Sequence, residues 1–245
     1  MNPPDVALVV GAGDSLGAAL ARRFAREGLK VCVARRHLDK LGPLAEAIRI
    51  AGGSAHPYAC DARREEQVVE LFARIEREVG ALEIVVFNVG GNIYFKLMET
   101  TAQKYFKAWE MACFSGFLTA REAMKHMAPR GRGTLFFTGA TAGLRGAEGY
   151  AAFATSKFGL RALAQSTARE FGKQGIHVAH VVIDGPIDTP FVRERFPDLV
   201  KTRPADGLLQ PDDIADIYWA IHKQKRSAWT FEADVRPWLE PLTTF

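Results

Sequence analysis

Hydrophobic positions follow two alternating spacings along most of the chain. Short, nearly continuous apolar runs alternate with longer segments in which apolar residues recur every three or four positions. The first spacing predicts strands buried on both faces of a sheet, and the second predicts amphipathic helices that cover it. The predicted strands are 6–10, 30–34, 54–60, 82–87, 133–138 and 176–183. The predicted helices are 15–27, 38–50, 65–79, 102–127, 150–171 and 212–223.

The alternation of strand and helix predicts the fold class. It is typical of an α/β protein in which right-handed crossovers join parallel strands and helices cover both faces of the sheet. We therefore expect residues 1–245 to form a single-domain Rossmann fold, with a doubly wound parallel sheet flanked by helices. Residues 190–210 carry charges, three prolines and little periodicity, so we expect them to form a lid over the substrate at the carboxyl edge of the sheet.

Charge and cysteine usage narrow the possible partners. The formal net charge is only +4, and basic and acidic residues are interspersed, so no basic block indicates a nucleic-acid partner. Cys32, Cys60 and Cys113 are scattered singly, which predicts reduced thiols and no metal site. No apolar run is long enough for a membrane span. We expect a cytoplasmic protein with neither a membrane nor a nucleic-acid partner.

A glycine-rich segment follows the first predicted strand. Its sequence, Gly11-Ala12-Gly13-Asp14-Ser15-Leu16-Gly17, runs directly into the first predicted helix. Glycine lets a backbone turn tightly and approach a pyrophosphate closely, and a helix N-terminus offers free N–H groups to phosphate. Between a first strand and a first helix, this motif predicts a dinucleotide site. The candidate cofactor-binding residues in it are Gly11, Asp14, Ser15, Leu16 and Gly17.

The end of the second predicted strand indicates which dinucleotide is bound. It carries Arg35-Arg36, twenty-four residues beyond Gly11, in the place where an NAD site usually has an acidic residue for the ribose 2′-hydroxyl. Arginine suits a 2′-phosphate, because its planar fork can bind two phosphate oxygens. We expect Arg35 and Arg36 to favour NADP(H), with NAD(H) as a possible second cofactor.

Several motifs in chain order resemble those of the short-chain dehydrogenase/reductase family, from about residue 5 to residue 222. The glycine segment resembles the family's Gly-x-x-x-Gly-x-Gly, with Ser15 in place of the middle glycine. Asp61-Ala62 resembles the acidic pair that contacts adenine, and Asn88-Val89-Gly90 resembles the Asn-x-Gly that closes over the adenosine. The segment 184–189 resembles Pro-Gly-x-x-x-Thr, which implies that Ile187 and Thr189 lie at the nicotinamide amide.

The resemblance also implies four groups for general acid–base chemistry, and three of them are missing. The family's lysine is present as Lys157, which the resemblance also implies holds the nicotinamide ribose. The tyrosine position, four residues earlier, is Phe153, whose ring has no proton to exchange. The serine position falls on Ala140 and the asparagine position on Cys113.

Two hypotheses explain why these three catalytic positions are replaced. Tyr150 lies seven residues before Lys157, two turns along the same helical face. Its spacing resembles the Tyr-x-x-Met-x-x-x-Lys of the divergent enoyl reductase branch, so Tyr150 and Lys157 are the candidate catalytic residues of an oxidoreductase that transfers hydride to or from a small carbonyl or activated alkene. Alternatively, Lys157 only binds ribose, and the protein is a catalytically silent NADP(H)-binding sensor, scaffold or partner subunit.

Two further hypotheses concern the substrate and the assembly. Residues 191–203 mix aromatic residues with four basic ones, which is typical either of a lid that receives an anionic or thioester substrate or of a solvated amphipathic helix. The predicted helices 102–127 and 150–171 are richly apolar, and the resemblance implies that they form the interface of a homodimer or homotetramer.

Overall fold

The computed structural model of the protein describes residues 5–240. Seven strands form one sheet in the order β3-β2-β1-β4-β5-β6-β7, and every neighbouring pair is parallel. The strands are β1 (Val6–Val10), β2 (Lys30–Arg35), β3 (Ser54–Ala59), β4 (Leu82–Phe87), β5 (Thr134–Thr138), β6 (His177–Ile183) and β7 (Glu232–Val235). The predicted fold class is confirmed. The strand order reverses between β1 and β4, where the carboxyl ends of a doubly wound sheet open a crevice for ligands.

Helices cover both faces of this sheet. They are α1 (Leu16–Arg26), α2 (Gly42–Ile50), α3 (Glu65–Glu78), α4 (Ala102–Trp109), α5 (Ser115–Met127), α6 (Ala151–Phe171), α7 (Pro190–Arg195), α8 (Pro197–Thr202) and α9 (Pro211–His222). Alternate residues of β1 enter two separate cores, Val6 and Leu8 on the side of α3, α5 and α6, and Ala7 and Val9 on the side of α1, α2 and α9. All five β1 residues are therefore buried, which explains its unbroken apolar run.

One predicted helix contains an irregularity that the apolar pattern did not reveal. Within the predicted helix 102–127, a π-helical turn spans Glu110–Phe114 and separates α4 from α5. A π turn adds one residue to a single turn, so the segment remains helical and its apolar periodicity changes little. Cys113, at the family's asparagine position, lies in this turn.

Strand β7 was not predicted. Its four residues, Glu232–Val235, have no apolar run, and none of them is fully buried. The strand exists because β6 offers its free edge, and His180 pairs in register with Glu232. Within residues 5–240, no helix has both the length and the apolar character needed to cross a membrane.

Candidate nucleotide-binding and active site

Two adjoining cavities open at the carboxyl ends of the strands, beside the point where the strand order reverses. The larger, here called the main cavity, has a volume of about 660 Å³ and is bounded by the glycine segment, the end of β5 and the start of α6. The smaller, here called the arginine cavity, has a volume of about 250 Å³ and lies at the end of β2. The two share a wall formed by Gly11, Gly13, Asn88, Val89 and Gly90.

The backbone of the glycine segment packs closely against neighbouring backbone. Gly11 has a φ of +89°, and a Cβ atom there would lie 2.7 Å from the carbonyl oxygen of Asn88. A Cβ on Gly17 would lie 2.6 Å from the carbonyl oxygen of Gly11. Ser15 caps α1 without a side-chain hydrogen bond to the helix, so the first-turn N–H groups of α1 are available to an anion. This crowded loop and open helix end match the shape and charge that a pyrophosphate requires.

Asn88 ties the glycine segment to the end of β4. Its backbone N–H donates to the carbonyl oxygen of Val10 at 2.8 Å, and its side-chain Nδ2 donates to that of Gly11 at 3.0 Å. Gly90 leaves room for Lys157, because a Cβ at position 90 would lie 3.1 Å from Lys157 Nζ. The Asn-x-Gly motif thus holds the shared wall of the two cavities in place and brings it against the lysine.

The arginine cavity contains the tandem arginines. Arg35 Nη1 donates to Asp14 Oδ1 at 3.0 Å, while Arg36 is exposed in the cavity wall. Opposite them, the Asp61 carboxylate accepts hydrogen bonds from Arg63 Nε at 2.9 Å and Arg63 Nη2 at 2.6 Å. These bonds hold the pKa of Asp61 below its ordinary value. The lining of this cavity has three arginines, Arg35, Arg36 and Arg63, and one carboxylate, Asp61, so it presents a basic wall to a ligand.

Lys157 lies at the back of the main cavity, on α6. Its side chain is buried, and Nζ donates to the backbone carbonyl oxygen of Thr138 at 2.9 Å. Burial lowers the pKa of Lys157 from its ordinary 10.5 to about 8. The carbonyl belongs to the last residue of β5, whose hydroxyl shares a hydrogen bond of 2.9 Å with the Tyr218 hydroxyl. The ammonium group is therefore anchored at the strand end, beside the wall formed by Gly90.

Two of the three positions of the missing catalytic groups lie in the same site. Ala140 and Phe153 both line the main cavity, where they present methyl and phenyl groups. Cys113 instead packs against α6, because a Cβ on Gly159 would lie 2.8 Å from its sulfur. Burial raises the pKa of the Cys113 thiol above its ordinary value, which disfavours the reactive thiolate.

Tyr150 lies in the wall of the main cavity, immediately before the first residue of α6. Its ring packs edge-on against Tyr94, with 5.3 Å between the ring centroids. The neighbouring Gly149 has a φ of +77°, and a Cβ there would collide with the Tyr94 ring. The N–H of Phe95 donates to the carbonyl oxygen of Gly149 at 2.8 Å. The loop after β4 therefore holds Tyr150 at the cavity wall.

The two cavities bring together nearly all of the candidate residues. The main cavity is lined by Gly11, Asp14, Ser15, Leu16, Gly17, Asn88, Gly90, Tyr150, Lys157 and Ile187. The arginine cavity adds Arg35, Arg36, Asp61 and Ala62. Thr189 lies outside both linings, and its hydroxyl accepts a hydrogen bond from the N–H of Val192 at 3.1 Å as the N-cap of α7. Within residues 5–240, no cluster of three or more His, Cys, Asp or Glu side chains could hold a metal ion.

The structure adds residues that no sequence motif marked. Arg145, in the turn after β5, lines the main cavity. Behind the site, the buried His180 Nδ1 lies 2.9 Å from Glu232 Oε2, and Arg161 forms two hydrogen bonds with that carboxylate at 2.6 and 2.7 Å. A Cβ on Gly139 would collide with the His180 ring, so this network supports the end of β5. The one sequence signal for this network is a histidine, His180, within the predicted apolar strand 176–183.

Comparisons with known proteins agree with this geometry. Residues 5–199 match the short chain dehydrogenase family. The chain belongs to the short-chain dehydrogenase/reductase family. A short-chain dehydrogenase/reductase from Armillaria gallica is 30% identical over 240 residues, which cover 92% of this chain and 91% of that protein. Membership places the chain in a family of oxidoreductases, some of which bind NADP(H).

Two solved structures of the family match nearly the whole chain. A short-chain dehydrogenase from Rhodopseudomonas palustris is 43% identical, with a TM-score of 0.83, and the match covers 96% of this chain and 99% of that one. A metagenomic short-chain oxidoreductase in complex with NADP is 25% identical, with a TM-score of 0.83 and coverages of 97% and 99%.

Proposed function

We propose that this family member is an NADP(H)-dependent oxidoreductase that acts on a small carbonyl or activated alkene, with Tyr150 in place of the usual tyrosine. The observation that carries the proposal is that Tyr150 lines the same cavity as Lys157 and the glycine segment, whereas the usual position is the phenyl ring of Phe153. The cavity thus retains a phenol group beside the candidate cofactor site.

The chain's own residues support each part of the cofactor. The glycine segment and the N-terminus of α1 would hold the pyrophosphate, and Arg35 and Arg36 would bind the 2′-phosphate. Lys157 would hold the nicotinamide ribose from the back of the main cavity. The chemistry supplied by that cofactor when bound is hydride transfer. The remaining proposed contacts are Asp61 and Ala62 at the adenine, Asn88 and Gly90 at the adenosine, and Ile187 at the nicotinamide amide. For Thr189, which caps α7 outside both linings, the contact with the nicotinamide amide stays a prediction.

Tyr150 would donate a hydrogen bond to the oxygen of the substrate. Seven residues separate it from Lys157, a rise of about 10 Å along the helix, against about 6 Å for position 153. At that separation, the charge of the lysine acts on the tyrosine hydroxyl less strongly than in the usual pairing, because electrostatic interaction falls with distance. This arrangement favours substrates whose oxygen must be stabilised over those that must lose a proton. Activated alkenes and carbonyls fit that requirement better than plain alcohols.

A screen of NADPH consumption against aldehydes, ketones and enoyl thioesters tests the proposal. We expect turnover of one of these classes, and we expect Tyr150→Phe to reduce it by about 10²- to 10⁴-fold, because a positioned proton donor is lost. NADPH affinity should be unchanged in that variant. The matched control is Tyr105→Phe, which removes the hydroxyl of an exposed tyrosine on α4 and should leave turnover intact.

The second candidate function is a catalytically silent NADP(H)-binding protein. It is favoured by the Lys157 anchor, which is complete without any tyrosine because Thr138 supplies the acceptor. Cofactor binding without turnover of any member of the screen would support this candidate and remove the enzymatic one. Full activity in Tyr150→Phe would leave the enzyme in place but exclude Tyr150 as its proton donor.

A further inference from the structure

The arginines near the site differ in whether they form an ion pair with a carboxylate. Arg193, in the segment expected to act as a lid, forms hydrogen bonds of 2.6 and 2.7 Å with Asp188. Arg203, from the same segment, pairs with Glu240. By contrast, Arg145 makes neither an ion pair nor a side-chain hydrogen bond with any of residues 5–240. Two of the lid's basic side chains are thus already neutralised, while the arginine in the cavity wall is not.

Arg145 lies in the wall of the main cavity, in the turn after β5. It belongs to the turn between Ala140, at the family's serine position, and Tyr150, and all three line the cavity. Its backbone N–H donates to the carbonyl oxygen of Thr141 at 3.1 Å. The Thr141 hydroxyl in turn donates to the buried Asp184 at 2.6 Å. The turn that carries Arg145 is therefore fastened to the end of β6.

The charges in the main cavity are separated in space. The acidic residue in its lining is Asp14, which lies in the glycine segment and is paired with Arg35. Lys157 is buried behind the candidate ribose site. Around Arg145, the lining is mainly small or apolar, with Ala142, Ala147 and Phe153. An anion beside Arg145 would meet its guanidinium group, while the carboxylate of the lining, Asp14, is already paired with Arg35.

We propose that Arg145 binds an anionic oxygen group of the substrate, so that the substrate is a small carbonyl or activated alkene that also carries a carboxylate or phosphate. The inference rests on the proposed function and names the substrate class for the same site. A guanidinium group suits this role, because its planar fork donates two parallel hydrogen bonds to a carboxylate or a phosphate. The anion would fix the substrate at one end, and Tyr150 would meet the reacting oxygen.

The test compares matched substrates in which methylation of the carboxylate removes the negative charge. Monomethyl fumarate and dimethyl fumarate form an alkene pair, 4-oxopentanoate and its methyl ester form a ketone pair, and 3-oxobutyl phosphonate replaces the carboxylate by a phosphate-like group. We expect at least one anionic compound to exceed its neutral partner about tenfold in kcat/KM, since charge-assisted hydrogen bonds have that order of effect. The phosphonate distinguishes phosphate recognition from carboxylate recognition.

Variants identify the residue responsible. Arg145→Ala should reduce kcat/KM for the anionic compound by about 10- to 100-fold and leave the neutral partner unchanged, and Arg145→Lys should recover only part of the loss. Arg26→Ala is the matched control, because Arg26 is an exposed arginine at the end of α1 outside the cavity lining, and Arg195→Ala tests the lid arginine as the alternative. NADPH affinity should be equal in all of these proteins.

Several outcomes would overturn the inference. These are equal use of the charged and neutral partners, a loss that follows Arg195→Ala instead, or weaker NADPH binding in Arg145→Ala, which would assign Arg145 to the cofactor. Calorimetric titration of the NADP⁺-saturated protein with the same compounds separates this inference from the proposed function. Binding of an anion that depends on Arg145 without turnover would refute the enzyme and retain the anion site. Absence of both binding and turnover would refute the anion site as well.

Discussion

At the scale of single residues, the site combines a preserved lysine with replaced partners. Lys157 is buried at the back of the main cavity and donates to the Thr138 carbonyl, while Phe153 and Ala140 offer no exchangeable proton. A buried ammonium group costs stability, because burial removes its hydration. This cost agrees with the proposed role of Lys157 in holding the cofactor rather than in stabilising the fold.

This cost leads to a prediction for Lys157→Met. The pKa of Lys157 is lowered from 10.5 to about 8, so below pH 8 the folded protein holds a proton on a group that burial makes unfavourable. Each pKa unit corresponds to about 1.4 kcal/mol, and the lost hydrogen bond offsets part of the gain, so we expect the variant to be more stable by about 2 kcal/mol at pH 7. Urea unfolding of the cofactor-free protein measures this difference.

The pH dependence of Lys157→Met has a definite sign. As pH rises from about 8 to 10.5, the folded wild-type protein loses the proton before the unfolded chain does, so its stability increases relative to the variant and the difference shrinks. The variant should also lose stabilisation by NADP⁺. Lys173→Met, at an exposed lysine after α6, should change neither property. A variant that is less stable than the wild type at pH 7 would contradict this account.

At the scale of helices and strands, the π-helical turn arranges a row of aromatic side chains. The ring centroids of Phe106 and Trp109 are 5.9 Å apart, those of Trp109 and Phe114 are 5.7 Å apart, and those of Phe114 and Phe117 are 6.2 Å apart. Trp109 and Phe114 are five residues apart, a spacing that fits the i→i+5 repeat of a π turn better than the repeat of an α-helix. The turn thus keeps the four rings on one face of α4 and α5.

This aromatic row supports the expected homodimer or homotetramer. Phe106 and Phe117 are 55% and 41% exposed, and Phe158 on α6 is 42% exposed. Exposed apolar rings of this extent are typical of an interface. We predict an oligomer in sedimentation velocity, and Phe117→Asp should shift it towards the monomer, since a charge would be buried at the contact. Phe191→Asp, at an exposed ring on α7, should leave the assembly unchanged. A monomeric wild-type protein would exclude this interface.

At the scale of the whole molecule, the site is assembled from segments that are far apart in the chain. The glycine segment after β1, the arginines at the end of β2, the Asn88 loop after β4 and Lys157 on α6 meet only because parallel strands bring their carboxyl ends to one edge. A cofactor that binds this assembled edge has no equivalent site in the unfolded chain. Its binding should therefore stabilise the entire fold.

This linkage provides a test of cofactor preference. Thermal unfolding with equal concentrations of NADP⁺ and NAD⁺ should give a larger rise in Tm for NADP⁺, because the exposed Arg36, with Arg35 beside it in the same cavity, can bind the 2′-phosphate. Arg36→Ala should reduce the NADP⁺ effect by about tenfold in apparent affinity and leave the NAD⁺ effect nearly unchanged. Arg26→Ala, at an exposed arginine at the end of α1, serves as the control. A larger rise with NAD⁺ would overturn the NADP(H) preference.

The amino-acid sequence by itself determined the elements with a strong local pattern. Six of the seven strands, the main helices and the positions of the glycine segment, Arg35, Arg36 and Lys157 followed from apolar periodicity and motif order, because neighbours in the chain carry those signals. Only the tertiary structure decided the features that depend on distant residues. Strand β7 forms through pairing of Glu232 with β6, and Arg35 donates a hydrogen bond to Asp14, twenty-one residues earlier in the chain.

The part of the main cavity that carries Tyr150 and Arg145 also combines features that the sequence predicted with features that only the tertiary structure decided. Tyr150 was identifiable from its spacing to Lys157, but its packing against Tyr94 joins two loops that are more than fifty residues apart. Arg145 belongs to no sequence motif, and nothing in the local sequence distinguishes it from Arg193. They differ because Asp188 lies within reach of Arg193, while the turn after β5 places Arg145 in the cavity wall. Three-dimensional contacts decide which charged side chains are paired. The local pattern of residues does not predict this pairing.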